Sequence, residues 1–413
     1  MRKIMDNGQL TMDNSELPKG WKIKKLGECG LIQTGTTPKT SEAENYGNYI
    51  PFAKPPHFKK GGQIDTKESY LSKIGMKKSR VFPANSILMV CIGATIGKTG
   101  FSNKQITSNQ QINGLTPNKK YYPRFFYYLF ISDYVQKQIM SVGKSAQATL
   151  PIINKTKWSN INLKLPKSLP EQKRIVSILD RAFEAIDKAK ANDEQNLKNA
   201  KELFESYLQG VFENKGDDWE KKSLGDICKK TETINPKLNP EKKFIYIDVS
   251  SVNKETKVIE ETTILMGKDA PSRARKLVKT NDVIFATVRP THSRVALVTE
   301  KYNNQVCSTG YYVLRANREI NNNIIYYFLL TYTFNKQMEK LQKGASYPAV
   351  TNKEVESQII SFPKSIEEQK RIVSQLDFLS TETKKIESIY QQKINDLEEL
   401  KKSILQKAFN GKL

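Results

Sequence analysis

The stretch EQKRIVSILD, Glu171–Asp180, returns as EQKRIVSQLD, Glu368–Asp377, with a single substitution and an offset of 197. The same offset carries Leu165-Pro166-Lys167-Ser168 onto Phe362-Pro363-Lys364-Ser365 and Phe212 onto Phe409, and an offset of 198 carries Trp21, Leu26 and Gly27 onto Trp219, Leu224 and Gly225. Self-similarity over such a period marks a chain built from repeated structural units. Two copies, about 20–215 and 219–413, take up almost the whole sequence. They imply a pseudo-twofold molecule.

Each copy divides by composition. Its first part is rich in Gly, Pro, Asn, Tyr and β-branched residues, and the apolar runs SILMVCI (Ser86–Ile92) and DVIFATV (Asp282–Val288) read as strands bounded by turns. The fold class expected is α/β (α+β), with one globular module per copy. Its second part loses Gly and Pro and fills with Glu, Lys, Gln and Leu, which is helix composition. A helix over Glu171–Phe212 is about 60 Å long at the usual rise. A heptad stripe runs through Ile175, Leu179, Ala182, Ile186, Ala189, Asp193, Asn196, Ala200, Leu203 and Tyr207. Its counterpart runs through Ile372, Leu376, Leu379, Thr383, Ile386, Tyr390, Lys393, Leu397, Leu400 and Ile404. Matched length and register predict that the two helices pair, with polar mid-seam residues fixing alignment. The division expected is a disordered tail at 1–19, modules at 20–167 and 216–364, and helices at 168–215 and 365–413.

The chain carries 67 Lys+Arg against 43 Asp+Glu, a net charge of +24 that attracts polyanions, most often nucleic acid. Four scattered cysteines and two histidines argue against a disulfide framework, a protein-built metal site or a Cys-His nucleophile. No apolar run approaches a membrane span and MRKIMDNGQL lacks a secretory core, so a cytoplasmic protein is expected.

CIGATIGKTG, Cys91–Gly100, resembles a phosphate-binding loop, but Ile92 stands where the first glycine belongs. The second copy replaces Gly93, Gly97 and Lys98 by Arg289, Ser293 and Arg294 at an offset of 196, so the charge persists while the glycines do not. KPPHF, Lys54–Phe58, has a cation where base-flipping amino-methyltransferases place the amine-binding Asn or Asp. Carboxylate pairs such as Glu260-Glu261 lie in polar loops, and no catalytic constellation emerges. What remains suits DNA: His57, Lys59 and Lys60; Lys77, Lys78 and Arg80; Lys98; Asn109 and Gln110; Arg273 and Arg275; Arg289, His292 and Arg294. Arginine forks match guanine, and Asn or Gln match adenine.

In order, GWKIKKLGE (Gly20–Glu28), TGTTP (Thr34–Pro38), IGATIGK, GKSAQATLPIINK from Gly143, GASYPAVTNK from Gly344 and the two EQKRIV helix entries resemble the specificity subunits of type I restriction-modification systems. The resemblance implies two target-recognition domains, each reading one half of a split double-stranded DNA site, separated by two long antiparallel helices. It also implies that those helices dock two methyltransferase subunits, that endonuclease motor subunits bind through the complex, and that S-adenosylmethionine, ATP and Mg2+ belong to those partners. The helix-pair and partner-binding residues expected are Ile175, Leu179, Ile186, Leu203, Tyr207, Ile372, Leu376, Leu379, Ile386, Leu397, Leu400 and Ile404. Two other readings stay open: a basic coiled-coil scaffold without sequence preference, and a stand-alone DNA-modifying enzyme.

Overall fold

The computed structural model describes residues 17–143 and 151–413. Most of the tail placed at 1–19, the middle of GKSAQATLPIINK (144–150) and the side chain of Lys60 lie outside the described residues. Two sheet-rich units emerge, one from the chain up to Asn192 with Lys393–Leu413, the other from Asp193–Gln392. Each long helix, Leu169–Glu213 and Ile366–Phe409, is continuous and contributes to both units.

In the first unit, Gly30–Thr34, Ile112–Pro117, Ser86–Val90 and Thr99–Ser102 pair in that order as an antiparallel sheet. Every residue of Ser86–Val90 is buried, which is why SILMV reads as an unbroken apolar run rather than an alternating one. A second sheet orders Tyr70–Leu71, Tyr46–Ala53, Ile106–Ser108 and Val81–Phe82, with one parallel pairing. Trp21–Lys25 closes the unit by pairing with Asn162–Pro166 just before the long helix. The second unit repeats the plan. Cys228–Lys229, Tyr311–Ala316, Val283–Ala286 and Val295–Leu297 form one sheet; Thr263–Met266, Lys243–Ile247, Gln305–Ser308 and Ala274–Val278 form the other. Trp219–Ser223 pairs with Ile359–Pro363, and Trp219 faces Pro363 as Trp21 faces Pro166.

The repeated EQKRIV block holds each long helix to its unit. Gln172 is buried; its Nε2 donates to the Pro166 carbonyl at 3.2 Å and its Oε1 accepts from the Tyr122 amide at 2.9 Å. Gln369 repeats this with Pro363 and the Asn321 amide, and also donates to Glu319. Ile175, Val176 and Leu179 enter one core, and Ile372, Val373 and Leu376 the other. Asp180 then accepts from Arg124 at 2.8 Å and from the Tyr128 hydroxyl, while Asp377 accepts from Tyr327 at 2.5 Å. At the far end Phe409 packs edge-on against Phe125, ring centroids 5.4 Å apart, and Phe212 against Phe328 at 5.7 Å.

The long helices pair antiparallel. Asp187 meets Lys401 at 2.6 Å and Lys190 meets Glu398 in the first unit; Lys201 meets Glu387 at 3.9 Å in the second. As one index rises the other falls by the same amount. The seam itself departs from the heptad expectation. Leu203 is 74% exposed, and Tyr207, Ile386 and Leu400 are exposed as well. Of the expected stripe, Ile175, Leu179, Ile186, Ile372 and Leu376 are buried, and the burial continues through Phe183 and Leu208 on the first helix and Ile394, Leu405 and Ala408 on the second. A straight α-helix repeats every 3.6 residues, so over eight turns a strict 3.5-residue pattern slips by one position onto the neighbouring face.

Candidate nucleic-acid interface

The hairpins flanking the two glycine-and-arginine turns share one register. Ile87, Leu88 and Met89 pair with Phe101, Gly100 and Thr99, while Val283, Ile284 and Phe285 pair with Leu297, Ala296 and Val295, an offset of 196 in both arms. The turns close alike: the Val90 amide donates to the Lys98 carbonyl and the Ala286 amide to the Arg294 carbonyl, both at 2.9 Å. Both turns lead into a strand, whereas a phosphate-binding loop opens a helix. Two positions in each turn are left-handed. Gly93 and Gly97 have φ of 95° and 86°; Arg289 and Ser293 take their places with φ of 49° and 47°.

Backbone hydrogen bonds gather several loops beside each turn. In the first unit the Cys91 amide donates to Gln111, Gly93 to Pro151, Thr36 to Ser108 and Asn109 to Ala53. In the second, Thr287 donates to Gly310 at 2.8 Å, Thr309 to Arg273 at 2.8 Å, Arg289 to Pro348 at 2.7 Å and Val350 to Thr287 at 2.9 Å. Arg273 and Arg289, sixteen residues apart in sequence, thus come to one loop edge. Tyr347, 72% exposed, joins them through the adjoining Pro348.

The expected contact residues separate into groups. Lys59, Lys77, Lys98, Gln110, Arg273, Arg289 and His292 are exposed. Lys78 is occupied by Glu42 and Glu44 at 2.9 and 3.1 Å, and Arg80 donates to the Thr34 carbonyl at 2.7 Å. Asn109 turns its amide onto Gln111 at 2.9 Å, Gln110 accepts from Thr37 at 2.5 Å, and Arg275 donates to the Ser272 carbonyl at 3.1 Å. His57 accepts the Lys54 amide at 3.1 Å; burial and the charges of Lys54 and Lys59 hold it below the ordinary imidazole range, so it is neutral near pH 7. Arg294 is turned inward, donating to the Val252 carbonyl and to Ser250 at 3.1 Å, so it ties the turn to a neighbouring loop. Sequence reading passed over Tyr347; the cue available was an aromatic residue in the turn-rich GASYP segment.

A cleft opens beside each turn. In the first unit it measures about 460 Å³ and is lined by Lys59, Gly61, Gly62, Lys98 and Tyr127. In the second it measures about 930 Å³ and reaches Phe204 and Ser380 of the long helices. Phe183 occupies the place of Ser380 in the first copy and is buried, with Lys401, the counterpart of Phe204, 4.7 Å from its ring centroid. Lys257 lines the larger cleft, donating to Ser293 at 2.7 Å and Lys254 at 2.5 Å; burial and the Arg294 guanidinium lower its pKa to about 8. Among the described residues no group of His, Cys, Asp or Glu is placed to hold a metal, and no helix is long and apolar enough to cross a membrane.

Comparison with known proteins completes the picture. The chain is 31% identical over 172 residues to the HindI specificity subunit of Haemophilus influenzae, spanning 40% of this chain and 37% of that one. It is 22% identical to the MjaVIII specificity subunit of Methanocaldococcus jannaschii over 97% of this chain and 95% of that one, and 23% identical to the EcoKI specificity subunit of Escherichia coli K12 over 97% and 91%. In fold it is similar to a chain from a structure of a type I R-M system, with a TM-score of 0.79, 18% identity and 96% and 99% coverage. It is similar also to the HsdS subunit of Thermoanaerobacter tengcongensis, with a TM-score of 0.60, 19% identity and 97% and 99% coverage. Residues 18–198 and 216–399 each match the family described as the type I restriction modification DNA specificity domain, and the chain belongs to that family.

Proposed function

We propose that this chain is the DNA sequence-recognition subunit of a type I restriction-modification complex, each unit reading one half of a bipartite target. The observation that carries this reading is that one turn with its neighbouring loops is built in both units and presents exposed cations in each, at different positions: Lys98 and, across the cleft, Lys59 in one copy, Arg273 and Arg289 in the other. A net charge of +24 supplies the sequence-independent attraction to phosphate, and exposed forks and amides on loops supply base readout. The apolar side chains left exposed on the long helices, Leu203, Tyr207, Phe378, Ile386, Ile389 and Leu400, provide docking positions for methyltransferase subunits, through which endonuclease motor subunits join. S-adenosylmethionine, ATP and Mg2+ act in those partners, and the complex works in the cytoplasm on chromosomal DNA.

The test is to purify the chain with and without its methyltransferase subunits and sequence the positions they modify. The complex is expected to methylate adenines within a two-part motif, and the chain alone is expected to transfer no methyl group. Methyl transfer by the chain alone would support a stand-alone enzyme, and modification without sequence preference would support a scaffold.

A further inference from the structure

The two turns differ in a way that bears on what they read. They share length, closing hydrogen bonds and two left-handed positions, yet the first copy fills those positions with glycine and the second with Arg289 and Ser293. A residue with a side chain is strained there, whereas glycine is not. Glycine would therefore be the residue expected on stability alone. Strain kept at an exposed arginine points to a use for its side chain.

The Arg289 guanidinium lies over the Tyr347 ring, 5.1 Å from its centroid. The loop that carries Tyr347 is tied at its base: Lys343 and Ala349 exchange two 2.9 Å backbone hydrogen bonds across the GASYP segment, and the Arg289 amide donates to the Pro348 carbonyl at 2.7 Å. Among the described residues no carboxylate pairs with Arg289, in contrast to Arg315, which is held bidentate by Asp282 at 2.8 Å. A guanidinium stacked on an aromatic face has its plane fixed while its outer N–H edge stays available. Such an edge matches the O6 and N7 acceptors of guanine in the major groove.

We propose that Arg289, stacked on Tyr347, selects a guanine in the half-site read by the Asp193–Gln392 unit. This rests on the DNA-recognition reading given above. It makes Arg289 a specificity determinant and Tyr347 its positioning residue; the first copy has Gly93 in the place of the arginine.

The test uses the full chain assembled with its methyltransferase subunits and maps modified sites for wild type, R289G, R289K, Y347F and Y347A. R289G reproduces the glycine of the first copy and relieves the strained backbone, so it is expected to melt no lower than wild type. It is nevertheless expected to lose preference for guanine at one position by about tenfold or more, leaving the other half-site unchanged. R289K and Y347A are expected to fall between, and Y347F to behave as wild type because the stacking face remains. An unchanged motif in R289G, relaxation at an A·T position, or uniform weakening of the whole half-site would overturn the proposal. A wild-type complex that modifies no bipartite motif would instead overturn the recognition reading, and this assignment with it.

Discussion

The side-chain amide of Gln369, fully buried, donates to the Pro363 carbonyl at 2.8 Å while its oxygen accepts from the Asn321 amide at 2.7 Å. One side chain thereby joins the last strand of a unit, the start of a long helix and the cap of the helix Asn322–Leu330. Gln369→Ala strands these partners in a dry setting, where each unsatisfied group costs about 1–3 kcal/mol. The expected loss is about 3 kcal/mol, read as a lower melting temperature. Gln369→Glu is expected to do no better, since a carboxylate cannot donate to the Pro363 and Glu319 carbonyls.

The corrected seam predicts a contrast between two aliphatic positions. Ile394 is 8% exposed and lies on the buried stripe, whereas Leu203 is 74% exposed and points away from it. Ile394→Asp buries a charge and is expected to cost about 3 kcal/mol or more. Leu203→Asp is expected to change stability by no more than about 0.5 kcal/mol. Size-exclusion of the assembled complex then separates fold from docking: Leu203→Asp is expected to release methyltransferase subunits from a chain that still melts normally.

Lys257 gives a pH-dependent signature. Its pKa is lowered from 10.5 to about 8 in the folded chain, so between those values the unfolded state binds more protons and stability rises with pH. The rise is on the order of 1–2 kcal/mol after allowance for solvent screening. Below pH 8 both states are protonated and the contribution is flat. Comparing denaturant midpoints of wild type and Lys257→Met from pH 7 to 10.5 isolates it; parallel curves would contradict the assignment.

The repeat was legible in the sequence because the residues that dock helix to module recur as letters, from Gln172, Ile175 and Asp180 to Gln369, Ile372 and Asp377. The 196 offset aligned the two turns, and the structure added that the hairpins flanking them share one register although their letters differ. The helix seam was harder to place. Stepping by strict heptads from Ile175 led to Leu203 and from Ile372 to Leu400, whereas both side chains are turned to solvent. The contact residues were least legible. Arg294 and Arg289 look alike in RPTHSR, and only the folded loops show that one is turned onto the carbonyls of Ser250 and Val252 while the other rises over Tyr347. Such partners come from segments more than 40 residues away, or from a neighbouring loop, and leave no periodic trace.

Charge sets the behaviour of the chain toward DNA in salt. If about six phosphates are neutralised, affinity falls about a thousandfold between roughly 50 and 200 mM salt, and each lysine lost lowers the slope of log affinity against log salt by about one. Lys59→Ala with Lys98→Ala is expected to lower the slope by about two. Fluorescence anisotropy on duplex DNA measures it, and a slope near zero for wild type would contradict a phosphate-led encounter.

The central claim is that one loop edge, built twice, reads two separate half-sites. The direct measurement is single-molecule mapping of methylated positions by the assembled complex carrying Lys59→Glu and Lys98→Glu in one unit, or Arg273→Glu in the other. The account predicts that the first set alters one half of the motif, that Arg273→Glu alters the other half, and that each leaves its opposite intact. If both sets disturb the same half, or each disturbs both halves equally, the two units do not read separate sites and the account fails.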